Sequence, residues 1–253
     1  LMSKNIRSIA LTSYPLNSLF VLSFTFFCGV LYAEEFSFNL STKGISFGSF
    51  EMVSEEQNRK YQVSSVFEST GILGMFTKIK VVSGVHGRVA SWNDLRPKEV
   101  LSKWKSLLNS KQSRIRYKNN RLSHYEVLPK PRDNPFAINP YQLQGSIDPL
   151  TVTYWMLKRR KSGQLCLGTK KVSEGQSLIS VDFQKKKLID GHMHCQGLFT
   201  FLEGFDPSKF KNRKFSFNLI DKNTKSMPDI WSVKSMSFYT RIGLITAVRN
   251  NSN

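Results

Sequence analysis

Apolar positions in the first half of this chain recur mostly at a period of two. Phe36, Phe38 and Leu40 alternate with polar residues. Ile45, Phe47 and the Phe50–Met52 region follow a Thr42–Lys43–Gly44 turn signal, and Tyr61, Val63 and Ser65 lead into Val66 and Phe67. Alternate side chains share one face of a strand, so these runs predict short strands joined as hairpins. Ser69–Thr70–Gly71–Ile72–Leu73–Gly74 carries two glycines spaced for a sharp turn or a close backbone approach. Met75 to Val89 then predicts a fourth, longer strand. Residues 97–108 fit both periods: Leu101, Trp104 and Leu108 suit a helix, whereas Val100, Ser102, Trp104, Ser106 and Leu108 suit one face of a strand. The strand is favoured, because Ser113 to Tyr117 alternates and supplies a hairpin partner. Asn119–Asn120 marks a turn, Leu122 to Leu128 a further strand, and the proline-rich stretch from Pro129 to Pro140 an extended loop.

The period changes within Gly145 to Cys166. Asp148 stands where an N-cap belongs and Pro149 at the first helical position. Leu150, Tyr154 and Leu157 fall at helical spacing, flanked by Trp155, and Lys158, Arg159, Arg160 and Lys161 suit the negative end of a helix dipole. Gly163 is a natural stop. One main helix is therefore predicted over 148–161. Beyond it, Gln164 to Gly168, Ser177 to Gln184 and Lys187 to Gly191 read as strands, with Lys185–Lys187 as a turn. Phe199 to Phe210 reads as a connector, and Lys214 to Ile220 and Ile230 to Val248 as two late hairpin arms. The expected fold is mostly β: a strongly curved antiparallel sheet, a half-barrel or open barrel, with the helix packed on its concave side or at one end. Such cover is needed, because an exposed apolar face and open edges invite aggregation.

Apolar residues make up 40% of the 253 positions and aromatics 12%, enough for a sizeable core. Lys and Arg number 37 against 18 Asp and Glu, a formal charge of +19. The excess favours anionic partners, but it is spread along the chain and speaks to solubility and non-specific binding as readily as to one activity. Residues 1–33 read as a secretory signal peptide. Lys4 and Arg7 form a basic start, Leu19 to Leu31 is almost wholly apolar, and Ala33–Glu34 offers a cleavage point. An uncleaved anchor is the alternative, although the apolar run is short for a bilayer core. The expected organisation is a signal peptide at 1–33 and a single β-rich exported domain over 34–253.

Beyond the leader two cysteines remain, Cys166 and Cys195. An even pair in an exported chain predicts a disulfide; closing a loop of about 30 residues contributes on the order of 3–4 kcal/mol. Gly191–His192–Met193–His194–Cys195 invites a metal reading, but on a strand His192 and His194 face one way and Cys195 the other. The two histidines are weak candidates, and no metal or cofactor is expected. The chain holds no HExxH, P-loop or dinucleotide-binding glycine pattern, and no catalytic residues are assigned. Lys158, Arg159, Arg160 and Lys161 are candidates for holding an anionic group. Phe occurs 19 times, often at alternate strand positions, to fill a core or line a cavity.

Taken in order, Ser69–Thr70–Gly71–Ile72–Leu73–Gly74–Met75, Gly145–Ser146–Ile147–Asp148–Pro149–Leu150–Thr151, Cys166 with Cys195, and Gly204–Phe205 resemble an exported bacterial family called domain of unknown function 3108. The resemblance spans nearly all of the chain after the leader. This chain departs from it in its lysine content and in the run at 98–112. The resemblance implies a periplasmic protein whose curved sheet is similar to the half-barrels of lipoprotein carriers, and it carries over no catalytic residue. The expected function is non-enzymatic binding of a hydrophobic or anionic lipid-like ligand, with a membrane surface as a second partner and nucleic acid not expected. The alternative is a secreted interaction protein whose basic surface meets an acidic macromolecule. A third, weaker reading is an enzyme that uses the histidines.

Overall fold

The computed structural model describes residues 32–131, 133–221, 229–240 and 243–250. The expected leader lies outside the described residues except for its last positions. Among the described residues the strands form a single 15-stranded sheet. The chain enters its middle as β1 (Tyr32–Thr42). It then winds outward, each strand antiparallel to the last, through β2 (Ile45–Gln57), β3 (Lys60–Ser69), β4 (Lys80–Ser91), β5 (Asp94–Lys105), β6 (Ser110–Lys118) and β7 (Arg121–Leu128). A short helix, α1 (Gly71–Thr77), caps the turn between β3 and β4. The proline-rich loop then leads to β8 (Ser146–Ile147) and the main helix α2 (Pro149–Leu157). After β9 (Arg160–Lys161), the chain winds inward through β10 (Thr169–Ser173), β11 (Leu178–Ile189), β12 (His192–Glu203), β13 (Arg213–Asp221), β14 (Ile230–Thr240) and β15 (Gly243–Arg249). β15 pairs with β1, so the two halves join in a seam between the first strand and the last.

The two outer edges meet. β8 pairs in parallel with β10, and Gln144, two residues before it, bridges to Arg121 of β7. Gly145 N–H donates to the Asn120 carbonyl at 2.9 Å. The sheet is thus a nearly closed barrel, which removes most of its exposed edge. Alternation sets what faces inward. In β3, Tyr61, Val63 and Ser65 are buried and their neighbours Gln62 and Ser64 exposed. Phe36 and Phe38 in β1, and Phe215, Phe217 and Leu219 in β13, line the interior in the same way.

α2 fills that interior. Leu150, Thr151, Val152, Tyr154, Trp155 and Leu157 are all buried. A helix covered on every side is what the inside of a barrel demands, and it explains a run with little polar content. Asp148 caps the helix as predicted, its Oδ1 accepting from Thr151 N–H at 2.9 Å. At Gly87 a β-carbon would stand 2.6 Å from the Tyr61 ring, so only glycine lets that ring lie flat under the helix.

Several predicted boundaries need correction. The helix ends at Leu157 rather than 161, because Lys158 turns extended and Arg160–Lys161 pair with Trp231 and Ile230 of β14. Met75 to Thr77 belong to α1, not to the start of a strand. Lys185–Lys187 lie inside β11, which absorbs the irregular pattern with a register shift between Phe183 and Lys185. Gln164 to Gly168 contributes no strand, and the strand after the helix starts at Thr169. Phe199 to Glu203 continues β12 instead of acting as a connector. The last arm is two strands, β14 and β15. Residues 97–108 are strand through Lys105, hydrogen-bonded to β6 as expected.

Candidate functional site

The register places one set of connections at the same end of the barrel: the β1–β2 turn, α1, the β5–β6 turn, the β12–β13 connection and the β14–β15 turn. At this end a cavity of about 420 Å³ opens above α2. Thr153, Met156 and Leu157 of the helix form its floor. Leu40, Phe50 and Phe67 form one wall; Ile179, Phe199, Phe201, Phe215, Phe217, Met236 and Phe238 form the other. The volume falls within the range of small-molecule sites, and the lining is almost wholly apolar. Apart from Thr153 on the floor, its polar groups, Arg213, Ser237 and Tyr239, come from the mouth ends of β13 and β14.

Aromatic rings extend the wall in both directions. Phe183 packs against Trp155 with centroids 5.5 Å apart and against Phe215 edge-on at 5.3 Å. Phe215 lies 4.6 Å from Phe199. Near the mouth, Phe201, Phe205 and Phe210 cluster at 4.8–5.2 Å. These tilted and edge-on contacts hold the rings more firmly than burial alone. Gly197 makes room on β12, since a β-carbon there would collide with the Phe215 ring. Arg213 stands half-buried at the mouth, with no carboxylate within ion-pair distance among the described residues.

The floor is braced at the opposite end. Arg159 Nε lies 2.9 Å from Oε1 of the buried Glu34. Glu56 Oε2 accepts from Tyr154 Oη at 2.7 Å and from Lys158 Nζ at 2.9 Å. Trp155 Nε1 donates to Asn93 Oδ1 at 2.7 Å. Thr151 Oγ1 donates to Asp148 Oδ2, so Tyr61 Oη must be the donor in its 2.9 Å contact with Thr151 Oγ1. Burial pushes the Asp148 carboxyl above its ordinary range, and the Thr151 hydrogen bonds only partly oppose this. Burial likewise raises Glu34, against the pull of Arg159. Arg160 is buried over the Trp155 ring at 5.1 Å; burial lowers its guanidinium to about 10, which leaves it charged at neutral pH.

The predicted site residues therefore separate. Cys166 and Cys195 form a disulfide with Cα atoms 5.5 Å apart, which ties the segment leaving the helix to β12. His192 and His194 sit half-buried at the start of β12. No group of three metal-ligating side chains gathers among the described residues. Lys158, Arg159, Arg160 and Lys161 are not brought together as one anion-binding cluster: the first two meet Glu56 and Glu34, the third is buried, and Lys161 is exposed. Ser69, Thr70, Gly71 and Gly74 shape the entry to α1; Thr70 N–H donates to the Phe47 carbonyl at 2.8 Å, and a β-carbon at Gly74 would stand 2.6 Å from the Ser69 carbonyl oxygen. Ala33 and Glu34 lie within β1, opposite Glu55 and Ser54. Sequence reasoning missed Arg213, whose one signal was a cation opening an alternating Phe215–Phe217–Leu219 run.

The fold and site define a barrel-like β protein with an internal helix and an apolar cavity. No protein-family model and no curated protein matches the chain. Among solved structures it is similar to a beta-barrel-like protein of domain of unknown function DUF1849 from Brucella abortus, at 10% identity and a TM-score of 0.45, over 85% of this chain and 94% of that one.

Proposed function

We propose that this is an exported, non-enzymatic binding protein. It takes the apolar part of an anionic, lipid-like molecule into the cavity above α2 and leaves the charged head at Arg213. The observation that carries this reading is the pairing of a phenylalanine-lined cavity with a cation at its mouth, Arg213, that has no carboxylate within ion-pair distance among the described residues. Burial of the tail supplies the affinity, at about 25 cal/mol per Å² of apolar surface, and charge fixes the orientation. Export is supported by the leader-like N-terminus and by the disulfide, which suits an oxidising compartment. The resemblance to domain of unknown function 3108 agrees with the same reading. One observation favours the acidic-partner alternative: an outer groove lined by Lys185, Lys186, Lys187 and His194.

Titration with a fluorescent polyene fatty acid tests the proposal. Met156→Trp, which fills the cavity from its floor, is expected to weaken binding at least about tenfold, or ~1.4 kcal/mol. Arg213→Gln is expected to weaken the acid but not the matching alcohol. Equal binding by Met156→Trp, with unchanged circular dichroism, contradicts the proposal.

A further inference from the structure

We infer that the mouth end of the barrel docks on the surface of an anionic phospholipid bilayer. The first observation is where the exposed apolar side chains lie. Leu108 is 91% exposed, Phe76 73% and Met75 72%, far beyond what scattered surface residues need. Ile45 and Leu107 are also exposed, and Tyr239 is exposed while lining the cavity. The register sets these residues on the β1–β2 turn, on α1, on the β5–β6 turn and at the end of β14, all around the cavity mouth. α1 and the β5–β6 turn form one projection, since Leu107 N–H donates to the Thr77 carbonyl at 3.2 Å. Met75, Phe76, Leu107 and Leu108 thus share a prong beside the opening.

The second observation is the charge around that prong. Lys43, Lys78, Lys105 and Lys111 are exposed on the same turns and strand ends, and none makes an ion pair among the described residues. Glu68, the carboxylate at the mouth end of β3, is already neutralised by Lys80. Apolar tips that reach the acyl boundary, ringed by lysines at headgroup level, match an anionic membrane interface. An acidic protein surface would satisfy the lysines but leave the apolar tips unused. Docked this way, the mouth faces the bilayer, and an amphiphile can enter or leave the cavity without crossing water.

Vesicle binding of the full chain, with no ligand in the cavity, tests this separately from the binding proposal. Vesicles with roughly 30% anionic phospholipid are expected to bind at least about tenfold more tightly than zwitterionic ones, with the difference shrinking as salt rises. The triple variant Met75→Ser, Phe76→Ser, Leu108→Ser changes only exposed side chains and is expected to lose at least about tenfold in affinity. Because variants and parent share one N-terminal segment, any contribution from that segment cancels. Position-specific tryptophans give the decisive reading. With lipids brominated in their acyl chains, Leu108→Trp is expected to be quenched and Leu188→Trp, at the opposite end of the barrel, is not. Equal binding by the triple variant, quenching at 188 but not 108, or self-association of the chain without vesicle binding would each overturn the inference.

Discussion

Asp148 illustrates how a single residue settles both local and internal structure. It caps α2, yet it is fully buried and reaches Tyr61 only through Thr151. Its carboxyl is raised by burial, so the folded state holds that proton more tightly than the unfolded chain does. The stability this contributes is present below the ordinary carboxylate value and is lost as pH rises through the raised one. Melting temperatures of wild type and Asp148→Asn across pH 3 to 8 are therefore expected to differ in slope. The wild type should lose stability relative to the variant as pH rises through that window. Parallel curves would show that the buried carboxyl does not titrate with folding.

The same logic operates for whole elements. The disulfide joins the segment after α2 to β12, so it holds the exit of the plug helix against the wall. Cys166→Ser is expected to lower the thermal midpoint of the oxidised protein, by about 2–5 kcal/mol of stability. A midpoint unchanged by the substitution, and equally unaffected by reductant, would contradict the bond. Elements built on strict alternation, such as the runs at Phe36–Leu40 and Tyr61–Val63, were legible because period two points to one buried face. The start of α2 was legible from Asp148 and Pro149. Its end was not: the basic quartet suits a helix terminus, but Glu34 and Glu56, more than a hundred residues earlier, draw Arg159 and Lys158 into a different arrangement. Lys185–Lys187 failed for a similar reason. Their polar run resembles a turn, whereas the outer face of a barrel tolerates lysines within a strand, and a bulge corrects the register. Pairing between β1 and β15, which joins the two halves of the sheet, leaves no local trace in either strand.

At the largest scale, the barrel has two unlike ends. Around α2, away from the mouth, lie the carboxylates and buried hydrogen bonds that fix the floor. Above it lie phenylalanines, a cavity and an exposed apolar rim whose Lys43, Lys78, Lys105 and Lys111 make no ion pair among the described residues. The excess charge of the sequence acquires a place only at this scale, because the rim lysines come from turns far apart in the chain. The sheet supplies the cavity, the helix sets its depth, and the rim offers a route to it.

The most direct test of the account is native mass spectrometry of the disulfide-bonded protein, recovered gently from cells and compared with Met156→Trp prepared in the same way. The account predicts a wild-type protein carrying an adduct that extracts into organic solvent and ionises as an amphiphilic anion, and a cavity-filled variant without it. Unliganded mass for both proteins, or the same adduct retained in full by Met156→Trp, would contradict a binding role for the cavity.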